Sequence, residues 1–103
     1  MIARTWRGRV PVRQAAAFER HLRRTGLSDY RAHAGCLEVR LWRREADGWT
    51  HFMLTSVWDS MDSIRRYAGP EPERAVLYPG DDAFGLVPDT TVEHFDVLST
   101  DTP

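Results

Sequence analysis

Residues 51–69 of this chain read HFMLTSVWDSMDSIRRYAG, and the remainder can be arranged around them. From His51 to Trp58 the residues alternate. Phe52, Leu54 and Trp58 fall on one face at period two, and His51, Met53, Thr55 and Val57 fall on the other. That spacing predicts a strand, and apolar groups on both faces predict that it is covered on both sides. Asp59-Ser60 then supplies a helix N-cap, with Asp62 in the first turn where a negative charge suits the helix dipole. Met61, Ile64 and Tyr67/Ala68 repeat at helical spacing, and Gly69-Pro70 stops the element.

Toward the N-terminus, Ile2 to Arg9 reads as a strand with Ile2, Arg4, Trp6 and Gly8 on one face. Pro11 suits the first position of a helix whose apolar stripe is Val12, Ala15, Phe18/Glu19 and Leu22, and Gly26 is its stop. Leu27 to Ala34 is expected as a loop, where Tyr30 and His33 either cap an opening or dress the surface. Cys36 to Arg44 is a strand with Leu37, Val39 and Leu41 inward, and Ala46-Asp47-Gly48 is a hairpin turn leading into His51. Beyond Gly69, Pro72 opens a short helical turn through Tyr78, and Asp81 to Val87 is an irregular acidic connection. Thr90 to Leu98 is the last strand, with Val92, His94, Asp96 and Leu98 on one face. The order β-α-β-β-α-β predicts an α+β, ferredoxin-like antiparallel sheet with both helices on one face. Residues 1–98 form the domain and 99–103 a frayed tail. A bare sheet face carrying apolar groups predicts a homodimer, two sheets closing into a dimeric α/β barrel that encloses a cavity.

Composition narrows the functional classes. With 42% hydrophobic residues and four Trp among 103 residues, the chain is able to build a core. Its longest apolar runs, Ala15–Phe18 and Ala75–Tyr78, are too short for a membrane span, and no signal-peptide core is visible, so a cytoplasmic protein with no membrane partner is expected. The single Cys36 excludes an internal disulfide and a thiolate metal cage. All 14 basic residues are Arg, which removes Schiff-base lysine and P-loop chemistry. Arg dominates residues 1–44 and acids dominate residues 45–103; pairing of the first and last strands interleaves the two halves, so no nucleic-acid partner is expected. Neither a G-x-G-x-x-G nor an H-E-x-x-H pattern occurs, so no resident flavin, nicotinamide or metal cofactor is expected.

The stretches SVWDSMDSIRRYAG, ERAVLYPGDDAF and VEHFDVL together resemble the antibiotic biosynthesis monooxygenase family of dimeric α+β barrels. The resemblance runs from Met1 to about Leu98, and its most specific part is the strand-to-helix junction Trp58-Asp59-Ser60. It implies a homodimer with a small aromatic molecule in each cavity and, in some members, oxygenation by dioxygen as co-substrate without metal, flavin or haem. Other members of the superfamily degrade haem. Their catalytic Trp corresponds to Tyr67 here, their iron-ligating His to Leu77 beside Tyr78, and their strand-one Asn lies near Trp6 or Arg7. None of the three is kept, so that mechanism is not carried over.

The candidate catalytic residues are His94 and Tyr67. His94 is either a base for a phenolic or activated C–H proton or an imidazole satisfied by a neighbour. Tyr67 packs in the core or turns its hydroxyl to the cavity. The candidate substrate-binding residues are Trp6, Arg4, His51, Met53, Thr55 and Trp58. Trp6 is a stacking wall or plain filler; Arg4 holds a substrate anion or pairs with Asp96. His51, with Met53 and Thr55 on its face, looks into the cavity or out to solvent, and Trp58 packs strand three on its helix. His21 and His33 read as surface positions and Cys36 as a small buried hydrophobe. The expected function is a small cofactor-independent monooxygenase or tailoring enzyme acting on an aromatic, polyketide-like molecule. The alternatives are a non-catalytic small-molecule-binding or stress-response protein of the same fold and, further off, a haem-binding or haem-degrading monooxygenase.

Overall fold

The computed structural model describes residues 1–102; Pro103, the end of the expected tail, lies outside the described residues. The elements are β1 (Ile2–Pro11), α1 (Ala15–Arg24), α2 (Gly26–Ala32), β2 (Cys36–Ala46), β3 (Trp49–Trp58), α3 (Met61–Ala68), β4 (Val87–Pro88) and β5 (Glu93–Asp96). The sheet is antiparallel in the order β2-β3-β1-β4, with β5 also on β1. This is the ferredoxin-like α+β arrangement. No helix among the described residues is long and apolar enough to cross a membrane.

Register explains which face is buried. β1 and β3 pair along their whole length, with Arg4 opposite Ser56, Trp6 opposite Leu54, Gly8 opposite Phe52 and Val10 opposite Thr50. Opposed residues point the same way, so these four rows form one face, and all eight residues are buried. Phe18 and Leu22 of α1, Tyr30 of α2 and Ile64 of α3 pack onto that face. The helices therefore lie on one side. The intervening rows, Thr5 with Thr55, Arg7 with Met53 and Arg9 with His51, form the open face, where His51, Met53, Thr55 and Val57 are half-buried. Strand three is thus covered on one side within a single chain, not on both. Asp47 and Gly48 close the β2–β3 hairpin with φ of 55° and 80°, the left-handed pair a two-residue turn needs. Ser60 caps α3 by accepting from Ser63 N at 3.2 Å.

Several expected boundaries move. β1 continues through Pro11, which pairs with Trp49; a 3₁₀ turn over Val12–Gln14 follows, and Val12 is exposed instead of heading the helical stripe. Gly26 does not end helical structure. Thr25 breaks α1 by bonding back to the His21 carbonyl through both its N–H and its hydroxyl, and a second helix, α2, starts at once where a loop was expected. Leu37 is 54% exposed because a bulge between Cys36 and Glu38 turns it out of the sheet. Cys36 beside it is half-buried, and burial pushes its thiol above the ordinary range. No helical turn forms at Pro72–Tyr78, because the chain there bonds across to the last strand: Ala75 N to Thr90 O at 2.9 Å and Val92 N to Glu73 O at 2.8 Å. Asp81–Phe84, expected to be irregular, is a 3₁₀ helix, and the last strand is regular only over Glu93–Asp96. His21 is not at the surface. It is 7% exposed between Phe18 and Phe84, with Nε2 2.6 Å from Asp81 Oδ1. His33 is half-buried against Trp58 and Tyr67.

Candidate functional site

Among the described residues a concavity lies on each side of the sheet. The inner one lies between sheet and helices, encloses about 20 Å³, and is lined by Arg4, Trp6, Tyr30, Tyr67, Tyr78 and Val92 among others. That is room for about one water molecule. The outer one is an open groove of about 660 Å³ on the helix-free face, lined by Arg7, Arg9, Trp42, Arg44, His51 and Met53 among others.

Strand alternation decides which candidates enter which space. Arg4 and Trp6 occupy successive inward positions of β1 and face the helices. The Trp6 indole lies across Gly8, where a Cβ would stand 2.6 Å from its Cη2, and its Nε1 donates to the Asp89 carbonyl at 3.1 Å. Tyr67, on the last turn of α3, reaches the same pocket. Trp58 is fully buried behind it, stacked near Tyr67 at 5.6 Å between ring centroids and donating through Nε1 to Ser56 Oγ; it lines neither concavity. His94 pairs with Arg4 across β1 and β5, so it lies on the helix side of the sheet but not on the pocket wall. His51 and Met53 line the outer groove, and Thr55 is on that face too, accepting from Trp42 Nε1 at 2.8 Å. The structure therefore brings Arg4, Trp6 and Tyr67 together, with His94 and Trp58 adjoining, and sends His51, Met53 and Thr55 to the opposite side.

Arg4 is 1% exposed and has no carboxylate partner among the described residues; it is not paired with Asp96. Its Nη1 donates to the Pro72 carbonyl and lies 3.0 Å from His94 Nε2, Nη2 donates to the Arg74 carbonyl at 3.1 Å, and Nε has no partner. The guanidinium carbon lies 5.6 Å from the centre of the Tyr67 ring. Because the guanidinium only donates, His94 Nε2 is the acceptor in this pair, which places the imidazole proton on Nδ1. Burial first, and the Arg4 charge second, hold the His94 pKa below its usual value, with Glu73 opposing. His94 is thus a neutral acceptor that helps orient Arg4.

Tyr78 and Asp29, given no role in the sequence, and Tyr30, read there as capping an opening or dressing the surface, complete the pocket and its hydrogen-bonded wall. The Tyr67 and Tyr78 hydroxyls are 2.9 Å apart, and Tyr78 donates to Asp29 Oδ2 at 2.7 Å. Burial chiefly, with the neighbouring Tyr30 and Tyr78 rings, pushes the Tyr67 phenol far above its ordinary range; burial and the Asp29 carboxylate do the same to Tyr78. Tyr30 meets Tyr67 edge-on, with ring centroids 4.6 Å apart. The sequence carried one overlooked sign of this arrangement: Leu27 and Tyr30 stand one helical turn apart, which puts Asp29 on a helix and not in a loop. Among the described residues, no group of three His, Cys, Asp or Glu side chains is placed to hold a metal ion.

A model of the antibiotic biosynthesis monooxygenase family matches residues 1–74. In structure, the chain is similar to a protein of Deinococcus radiodurans provisionally assigned as an antibiotic biosynthesis monooxygenase, with a TM-score of 0.71 and 15% identity over 100% of this chain and 98% of that one. It is also similar to a mutant of MhuD that holds two manganese protoporphyrin IX molecules per active site (TM-score 0.68, 14% identity, 100% of both chains). A mutant of SnoaB, a cofactor-independent oxygenase of Streptomyces nogalater, is similar as well (TM-score 0.60, 17% identity, 95% of both chains). At these identities the likeness is one of fold. No curated protein matches the chain in sequence.

Proposed function

Because the chain belongs to the antibiotic biosynthesis monooxygenase family, we propose that it is a small oxygenase or related tailoring enzyme, working without a resident cofactor on a small aromatic molecule, as a cytoplasmic homodimer. The observation that carries this reading is the buried, unneutralised guanidinium of Arg4 on an aromatic-walled pocket. Two carbonyls and an imidazole take some of its hydrogens, Nε–H is left without a partner among the described residues, and none of these contacts cancels its charge; isolated charge in an apolar interior is costly. An oxyanion is the ligand that completes it. A phenol or enol held as its anion against Arg4, with Trp6, Tyr30 and Tyr67 as walls, is activated toward dioxygen. The chain supplies the dry, cationic environment, and the oxygen chemistry belongs to the substrate.

A ring needs more room than the closed pocket offers. The segment over it is anchored at Ala75, through Thr90, and at Tyr78, through Asp29 and Asp81. Between these anchors Val76 and Leu77 belong to no helix or strand, and in this reading they yield to the incoming ring. Porphyrin, which MhuD holds, finds no imidazole ligand in this pocket: no His lines it, and His94 Nε2 is turned to Arg4. The second subunit covers the open face, where Trp42, Met53, Val57 and Phe95 leave apolar surface.

The test is oxygen uptake with a panel of anthrones and quinols in metal-free buffer. Uptake by the wild type, lowered about 100-fold or more in kcat/KM by Arg4→Met, is expected. No uptake across the panel, or wild-type turnover in Arg4→Met, defeats the reading; saturable binding without uptake assigns a binding protein instead.

A further inference from the structure

Two hydroxyls on the inner pocket wall, those of Tyr67 and Tyr78, are tied into one hydrogen-bonded chain. A carboxylate oxygen only accepts, and Tyr78 donates to Asp29 Oδ2 at 2.7 Å. A phenol has one proton, so that of Tyr78 is committed. At the 2.9 Å contact between Tyr67 and Tyr78 the donor is therefore Tyr67. The proton of Tyr67 is committed in turn, and its oxygen has only lone pairs left for the pocket. Across the same small space stands Arg4, which has only donors. The far end of the chain is Asp29 on α2, its side chain 41% exposed, with His33 Nε2 3.5 Å from its other oxygen. Both half-buried phenols keep their protons through the neutral pH range, since desolvation raises each.

We infer that Asp29, acting through Tyr78, sets Tyr67 as a proton acceptor toward the pocket, so that a hydroxyl-bearing aromatic bound there is deprotonated and its proton leaves along Tyr67, Tyr78 and Asp29. The inference rests on the pocket reading above and names its ligand class as a phenol or enol entering with its proton. The ligand O–H bond breaks and its proton bonds to Tyr67 Oη. The proton of Tyr67 passes to Tyr78 Oη, and that of Tyr78 passes to Asp29 Oδ2. The electron pair of the broken bond stays on the ligand oxygen, opposite Arg4. The step consumes one carboxylate and yields one carboxylic acid, which releases its proton to solvent; no oxidant enters. Tyr67 is the catalytic residue, and Tyr78 and Asp29 are positioning residues. His94, bonded to Arg4, is not the base in this scheme.

The experiment needs no turnover. Full-length wild type, Asp29→Asn and Tyr78→Phe are titrated with 4-nitrophenol at two pH values, one on each side of its ionisation, and the affinity ratio of ionised to neutral probe is taken for each protein. In the wild type Tyr67 accepts, which favours the neutral, proton-bearing probe and opposes the attraction of Arg4 for the anion. In Asp29→Asn the amide offers Tyr78 an N–H as well as an oxygen, which releases Tyr78 to donate to Tyr67 and Tyr67 to donate into the pocket. In Tyr78→Phe the Tyr67 proton loses its partner and turns inward as well. Both variants should raise the ratio by about tenfold, the worth of one charge-assisted hydrogen bond gained by the anion. A merely structural role for Asp29 would weaken both forms alike and leave the ratio alone. Saturable binding with an unmoved or lowered ratio in both variants overturns the inference and leaves the oxygenase reading standing; no saturable binding to the wild type overturns both.

Discussion

Gly35 sits immediately before β2, buried against the first turn of α3. Its carbonyl accepts from Asp59 N at 3.0 Å, locking the β3–α3 junction onto the start of β2. A Cβ on Gly35 would fall inside the envelope of the Ser63 Oγ and Cβ and stand 2.9 Å from Asp59 Oδ1. Ser63 cannot step aside: it is 2% exposed, and its hydroxyl is bonded to Asp59, Ser60 and Arg66. Gly35→Ala should therefore cost the upper part of the usual overpacking range, about 3 kcal/mol. For a domain of this size that lowers Tm by roughly 12–24 °C. Ser63→Gly removes both obstructing atoms and alone should cost about 2 kcal/mol, from helix propensity and lost hydrogen bonds. The double variant should then be about as stable as Ser63→Gly alone, a coupling of about 3 kcal/mol. Urea denaturation of the four proteins measures the cycle. Simple additivity, or a Gly35→Ala protein within about 0.5 kcal/mol of wild type, would refute the packing argument. The consequence reaches the pocket, because displacing α3 moves Tyr67 at its other end and should weaken 4-nitrophenol binding even where the variant folds.

Acid should destabilise the protein through His94. Its folded-state pKa lies below the unfolded value of 6.5, so the unfolded chain binds the proton more readily. Its contribution is intact above about pH 6.5 and is lost as pH falls from there toward the folded-state value; His94→Gln, which keeps an acceptor for Arg4 but does not titrate, should flatten that slope in urea midpoints, and an unchanged slope counts against the Arg4–His94 assignment. On the open face, Val57→Arg places a further cation on the sheet surface proposed to meet its twin. Sedimentation should show a dimer for wild type and a monomer for the variant, and a wild-type monomer at micromolar concentration removes the homodimer.

The stretch 51–69 and its neighbours carry enough periodicity to place the long strands, the hairpin and the capped helix along the chain, because alternation at two and recurrence at 3.6 are local properties. Trp6 and Arg4 could be assigned to one face for the same reason. Local pattern could not show that Thr25 breaks one helix and starts another, since that break depends on bonds back to His21 and on the seat of Tyr30 in the core. It also could not show that residues 70–80 lie flat, because their backbone partners are Thr90 and Val92, far along the chain. The site depends on such distant meetings. That Arg4 has no carboxylate partner among the described residues, that His94 Nε2 lies against it, and that Tyr67, Tyr78 and Asp29 form one hydrogen-bonded chain are facts of tertiary packing. Sequence determined the faces, since side-chain direction follows from backbone period. Only the folded structure decided the partners, since a hydrogen bond depends on where two remote atoms come to rest.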